Sequence, residues 1–275
     1  MCNSKGTMIS LEQHKKILVE MLKYIDEICL KNNIKYSLLG GSLIGAIRHS
    51  GFIPWDDDID IVLLPEEYDK LSNILLKENK YVFLNSLNSS YSYPFSKITD
   101  PNTIMFEDKV KQIENYGIYL DIFQYHYVSN NYLIRFFHYR RLLFYKSLLG
   151  SCMLTEESRK NEKNVLKRIR NIIAQLIGLA KIKKKYMKIC SNKKKTNFLL
   201  SNWPAYGFKK EIQLTSDFNN FERVKFETIE AMITKEYDRV LTTTFGNYME
   251  LPPKEKRITH HITNIYWREE NEKDS

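Results

Sequence analysis

From Ser10 to Asn33 the positions Leu11, His14, Leu18, Met21, Leu22, Ile25, Ile28 and Cys29 recur at spacings of three and four, which predicts an amphipathic helix. Ser10 with Gln13 forms the capping box that would start it. The period then changes. "IKYSLL" reads as a short strand ended by Gly40 and Gly41, "SLIGAIRH" as about two helical turns, and "GFIPW" as a turn or extended link. "DIDIVLL" alternates and is β-branched, so a strand is predicted, and Pro65 fits the first turn of the helix "PEEYDKLSNILLKEN". "KYVFLN", "YPFSKITD", "NTIMFE" and "GIYLDIFQYHY" read as strands of one mixed or antiparallel sheet. From Asn131 the pattern turns helical through "YLIRFFHYRRLLFYKSLL" and "NEKNVLKRIRNIIAQLIGLAKIKKKYMKIC", and a further helix is expected near "TKEYDRVLTTTF". The expected fold class is α+β, a mixed sheet flanked by helices over residues 1–130. A helical section follows over 131–202, and a C-terminal segment over 203–275 packs back on the core.

Composition refines this outline. With 275 residues, 43% hydrophobic and 13% aromatic, the chain can bury a substantial core. The net charge of +9 is uneven: residues 135–195 hold 18 Lys and Arg against 3 Glu, a balance of +15, so the remainder carries 9 − 15 = −6. The helical section is therefore basic. Its interleaved aromatics, Phe136, Phe137, Tyr139, Phe144 and Tyr145, suit a solvated helical cover, a membrane-surface contact or a phosphate-binding face; nucleic acid is not the expected partner. Four cysteines without CxxC spacing and an N-terminus lacking a signal-peptide apolar core suggest a cytoplasmic setting, with peripheral contact at the inner membrane face.

Against this background "DDDID", Asp56 to Asp60, is out of place, because four acidic residues interrupt an apolar run. On a strand, residues two apart share a face, so Asp58 and Asp60 would lie about 7 Å apart along the backbone. Aligned carboxylates repel unless a cation sits between them, and Mg²⁺, or Mn²⁺ in its place, is suited to oxygen ligands. An isolated Asp-x-Asp is more often a solvent-facing strand edge. Here, however, "LLGGS" puts Gly41 and Ser42 at the start of a helix, where backbone N–H groups and a hydroxyl can meet a phosphate. "YLDIFQ" adds Asp121 between apolar neighbours. Gly-Ser, Asp-x-Asp and a lone strand Asp together point to metal-dependent phosphoryl or nucleotidyl transfer. Asp58, Asp60 and Asp121 are the expected catalytic and metal-holding residues. Arg48 and Lys97 are candidates for the phosphates, and Trp55, Trp203 and Tyr206 for an aromatic surface or simple packing. Arg257, His260 and His261 have no zinc-motif spacing, and Arg257 is a further phosphate or acceptor candidate.

"GGSLIGAIRHSGFIPWDDDIDIVL", "YLDIFQ" and "FGNYMELPPKEKRITHH" resemble the LicD family of phosphocholine and related phosphotransferases, akin to fukutin-type transferases within the nucleotidyltransferase-fold superfamily. The resemblance runs from about Ile9 to His261 and is weakest over the basic helices. It implies a nucleotidyltransferase-like core using Gly41, Ser42, Asp58, Asp60 and Asp121. It also implies transfer of phosphocholine or a related phospho-alcohol from CDP-choline or another CDP-alcohol to a hydroxyl of a cell-surface glycan, itself lipid-linked in one form of this reading, with release of CMP. Where that family commonly has a Pro and an Asp after the third-carboxylate strand, this chain has Gln124 and His126. Two alternatives use the same residues or none of them: a nucleotidyltransferase acting on a small molecule or RNA, which would release pyrophosphate, and a basic membrane- or RNA-binding module.

Overall fold

The structure, a computed structural model, describes residues 5–88, 91–107, 109–257 and 264–269. After strand β1 (Lys5–Met8) comes helix α1 (Leu11–Lys31), opened by the expected capping box: the Ser10 hydroxyl accepts from the Gln13 N–H and the Gln13 side chain from the Ser10 N–H. Its inward stripe includes Leu18, Met21, Leu22, Ile25 and Cys29, all inaccessible to solvent. Strand β2 (Ser37–Leu38), helix α2 (Gly40–His49), strand β3 (Asp60–Leu63) and helix α3 (Pro65–Leu75) follow, with Pro65 in the first turn of α3.

Strands β4 (Val82–Leu84), β5 (Ser96–Thr99), β6 (Thr103–Phe106) and β7 (Tyr119–Val128) come next. The main sheet runs β2-β3-β7-β5-β4, mixed in sense: β3 and β7 are parallel, and the other pairs are antiparallel. The expected α+β class with a mixed sheet is observed. One strand departs from the expectation. β6 does not join this sheet but pairs with β12 (Asn264–Arg268), which also pairs with β1.

The basic section forms α4 (Tyr132–Met153), the short α5 (Glu156–Lys160), α6 (Val165–Ile177) and α7 (Leu179–Cys190). Gly178, at φ +82°, breaks the run into the last two helices, a backbone conformation glycine enters without steric penalty. These helices enclose a core of their own around Leu142, Leu149, Ala174, Ile182 and Tyr186. Strand β8 (Phe198–Ser201) then returns to the main sheet, pairing with the second half of β7 and with β9 (Ile212–Leu214), which follows the one-turn α8 (Phe208–Glu211).

The hairpin of β10 (Phe221–Phe226) and β11 (Ile229–Thr234) and helix α9 (Tyr237–Phe245) complete the body. Ala231, Met232, Ile233, Leu241 and Tyr248 belong to the same core as α1 and β3, so the C-terminal segment closes over the first half of the chain. Arg223 on β10 seals this contact by a bidentate pair with the buried Asp26 of α1, both N–O distances being 2.8 Å, and Tyr36 donates to the same carboxylate at 2.8 Å.

Candidate active site

Strand register assembles the site. In the parallel pair Asp60 of β3 lies opposite Asp121 of β7, and in the antiparallel pair Asp121 lies opposite Lys97 of β5. Three residues from distant parts of the chain thus stand side by side on adjoining strands, which are spaced by about 4.8 Å. The Lys97 ammonium reaches Asp121 Oδ1 at 2.5 Å, with both side chains buried. It also lies 3.3 Å from the centre of the Tyr119 ring and 5.1 Å from that of Phe95.

Asp58 is not on the strand. β3 begins at Asp60, where the amide N–H turns to the Ser42 hydroxyl at 2.9 Å instead of to a neighbouring strand, while β2 is too short to pair further back. Asp58 therefore sits on the lead-in to β3, yet it lines the same cavity as Asp60 and Asp121.

Helix α2 packs its N-terminus against these carboxylates. Gly40, at φ +55°, lines the cavity, and a Cβ there would lie 3.6 Å from Asp60 Oδ2. A Cβ on Gly41 would lie only 2.4 Å from Asp56 Oδ2, so the absence of a side chain is what lets Asp56 approach. Ser42 is buried and spends its oxygen on the Asp60 N–H, bracing the strand that carries the carboxylate. The first N–H groups of a helix have no partner within it, which gives this end of α2 a positive character.

The carboxyls nevertheless resist being charged together. Burial pushes the Asp60 carboxyl well above its usual range, and the Asp58 and Asp121 charges push it further. The Asp56 carboxyl is pushed up to about 7 by burial, then by Asp58 and Asp57. Hard oxygen donors under mutual repulsion are the chemistry a divalent cation relieves. In this arrangement Asp121 is paired with Lys97, and among the described residues no three His, Cys, Asp or Glu side chains form a ready-made ion cage.

Beyond the carboxylates the cavity, about 410 Å³, is walled by aromatic rings, among them Tyr93, Phe95, Tyr119, Phe123, Trp203 and Tyr206. Glu107 stands among them, accepting from Tyr116 at 2.5 Å and Tyr93 at 3.3 Å. The segment carrying Trp203 and Tyr206 is pinned at two points. Glu211 accepts the Ala205 and Tyr206 N–H groups, and Lys146, 4.2 Å from the centre of the Trp203 ring, donates to the Pro204 carbonyl at 2.5 Å. Glu107, Glu211, Tyr93 and Phe95 carry no motif that would single them out in the sequence, and Asp56 proves to be in contact with the cluster.

Other candidates lie elsewhere. Arg48 donates to the carbonyls of Tyr248 at 2.6 Å and Glu250 at 3.3 Å, so it straps the C-terminal segment to α2 and does not line the cavity. Arg257 lies 5.4 Å from the centre of the Trp55 ring and donates to the Pro252 carbonyl, and neither residue lines the cavity. His260 and His261 lie outside the described residues.

The frame that holds these carboxylates matches a known family model, "LicD/FKTN/FKRP, nucleotidyltransferase domain", over residues 33–153, a span that includes α2, β3 and Asp121. The lipopolysaccharide cholinephosphotransferase LicD of Haemophilus influenzae is 30% identical to this chain over 269 residues, covering 94% of this chain and 98% of that protein. The chain belongs to the LicD family. It is a transferase of that family, and its basic helices and C-terminal segment are covered by the same end-to-end similarity. The human ribitol 5-phosphate transferase FKRP is 38% identical over 52 residues, which are 19% of this chain and 10% of that protein. An uncharacterized protein of Rickettsia prowazekii is 39% identical over 75 residues, 27% of this chain and 28% of its own length.

Proposed function

We propose that this family member transfers a phospho-alcohol, phosphocholine in the first place, from a CDP-activated donor to a hydroxyl of a cell-surface glycan and releases CMP. The observation that carries the reading is the union of Asp58, Asp60 and Asp121 with an aromatic-walled cavity beside the N-terminus of α2. Aromatic faces attract a quaternary ammonium, and Glu107 adds negative charge among them. The Lys97 ammonium against Tyr119 illustrates how a cation sits on such a face. The Haemophilus influenzae relative is named for phosphocholine and lipopolysaccharide, which supports both the alcohol and a lipid-linked acceptor.

In the reaction the acceptor oxygen bonds to the phosphorus bearing the alcohol. The bond from that phosphorus to the bridging oxygen breaks, CMP departs with the electron pair, and the hydroxyl proton passes to a base. Asp58, Asp60 and Asp121 would hold Mg²⁺ or Mn²⁺, which when bound neutralises phosphate charge. The chain's own residues hold the geometry. Ser42 fixes the strand bearing Asp60, Gly40 and Gly41 leave room at the end of α2, and Lys97 keeps a positive charge beside Asp121. The reading keeps the cytoplasmic setting expected from the sequence, where Cys29, Cys152 and Cys190 would remain the buried free thiols they are here.

Incubation with CDP-choline, a glycan acceptor and Mg²⁺ should release CMP, faster than with CDP-ethanolamine, CDP-glycerol or CDP-ribitol. Asp60→Asn should lower the rate by about two to three orders of magnitude, the scale of removing one electrostatic element from such a site. Pyrophosphate from CTP, with no CMP from any CDP-alcohol, would make the chain a nucleotidyltransferase and overturn the reading.

A further inference from the structure

Helix α6 is amphipathic in the wrong direction for a helix that only covers a core. Val165, Leu166, Ile169, Ile172, Ile173, Leu176 and Ile177 are all exposed, Leu166 by 76% and Leu176 by 81%. At 3.6 residues per turn they fall on one continuous arc. The residues turned toward α4 and α7 are the small Ala174 and the polar Asn171, both buried. Arg170 is drawn to the same side, donating to the Ser151 hydroxyl at 2.8 Å. The chain thus seats the helix by its polar side and leaves the apolar side without a partner among the described residues.

The rest of the helix carries Lys167, Arg168 and Arg170, with Arg168 at an edge of the arc, and the neighbouring α7 exposes Lys181, Lys184, Lys185 and Lys188. No helix among the described residues is long and apolar enough to cross a membrane. An apolar stripe on a helix set in a segment of net charge +15 has the composition of an interfacial element, which buries its stripe at the headgroup boundary and its cations among anionic lipids. We infer that α6 docks this protein on the surface of an anionic lipid bilayer.

Charge selects the bilayer over the other occupants. A second copy meeting α6 face to face would bring one +15 segment against another, and like charges disfavour that contact. A nucleic acid would satisfy the lysines and leave the isoleucines and leucines in water. An anionic membrane satisfies both. The inference does not rest on the proposed reaction, since none of these residues lines the cavity.

Flotation of the full chain with phosphatidylglycerol–phosphatidylethanolamine vesicles tests it against vesicles of phosphatidylcholine alone. Binding should be at least about tenfold stronger to the anionic vesicles and should weaken as salt is raised. Leu166→Glu with Leu176→Glu should reduce binding by about tenfold or more while the circular dichroism spectrum is kept, because both side chains are already in solvent. Lys184→Glu with Lys185→Glu should abolish the preference for anionic lipid. Equal or absent binding of the unaltered chain to both vesicles would overturn the proposal without recourse to any variant. So would undiminished binding of the leucine variant, or a dimer in analytical ultracentrifugation that the leucine variant dissolves while vesicles are ignored.

Discussion

Asp121 is the residue on which the cluster depends, because β7 sets it between Asp60 on one neighbouring strand and Lys97 on the other. The Lys97–Asp121 pair is buried, with side-chain exposures of 3% and 11%, so solvent does little to screen it. Removing the ammonium alone leaves a buried carboxylate without its cation. Lys97→Met should therefore cost about 3–5 kcal/mol of folding stability in urea unfolding, and a loss under about 1 kcal/mol would mean that the pair behaves as a solvated one. Asp58, Asp60 and Asp121 are legible in the sequence because charge inside an apolar run has no use in packing. Glu107 and Glu211 are not, since each stands where an ordinary surface carboxylate would, and only the fold turns it toward the aromatic wall. Tyr93 and Phe95 look like core residues for the same reason. Arg48 misleads in the other direction: its place at the end of α2 suggests a phosphate ligand, while its guanidinium is committed to the Tyr248 and Glu250 carbonyls.

At the scale of elements, α2 and the link to β3 decide where the carboxylates stand. Replacing a helical glycine by alanine ordinarily stabilises by about 0.4–1 kcal/mol. Gly45 should behave oppositely. A Cβ there would lie 2.4 Å from the Gly51 carbonyl oxygen and 3.1 Å from the Ile53 nitrogen, both backbone atoms that cannot swing aside as a side chain would. The link is held from its far side by Glu227, which accepts the Phe52 N–H at 2.9 Å. Gly45→Ala should therefore destabilise by about 1–3 kcal/mol, the range for overpacking, and lower Tm in thermal unfolding. A Tm at or above that of the unaltered chain would show that the link yields. Local pattern foretells the elements whose information is local: the capping box of α1, Pro65 opening α3, the long period of α4. Long-range pairing escapes it. β6 reads like any strand of the main sheet, but its partner β12 lies at the other end of the chain, and no periodicity encodes that choice. β3 likewise starts two residues later than its alternation suggests, because Ser42, on a different element, captures the Asp60 N–H.

Across the whole molecule the basic helices meet the main sheet along a seam where β7 pairs with β8 and α4 lies close by. At this seam His126 of β7 and His138 of α4 share a hydrogen bond of 2.9 Å between their Nε2 atoms. Burial, then the facing imidazole, pushes His126 down to about 3; burial, then Arg141, pushes His138 down to about 4. An unfolded histidine takes up its proton near pH 6.5, so below that pH the unfolded chain binds protons that the folded one refuses. Stability contributed by the neutral pair is thus complete above pH 6.5 and is lost as pH falls toward 4, by up to about 1.4 kcal/mol per pH unit for each histidine. Asp56 acts in the opposite sense. Its carboxyl, pushed up to about 7, is protonated in the folded chain first, so its unfavourable contribution at neutral pH fades as pH falls toward the ordinary carboxylate range. A profile of the unaltered chain mixes the two effects, and a difference separates them. Between pH 6.5 and 5 the stability of the unaltered chain should fall relative to that of His138→Phe, which keeps Asp56 and removes one member of the pair. Urea unfolding of both proteins across that range measures the gap, and parallel profiles would mean that the two imidazoles at the seam do not resist protonation.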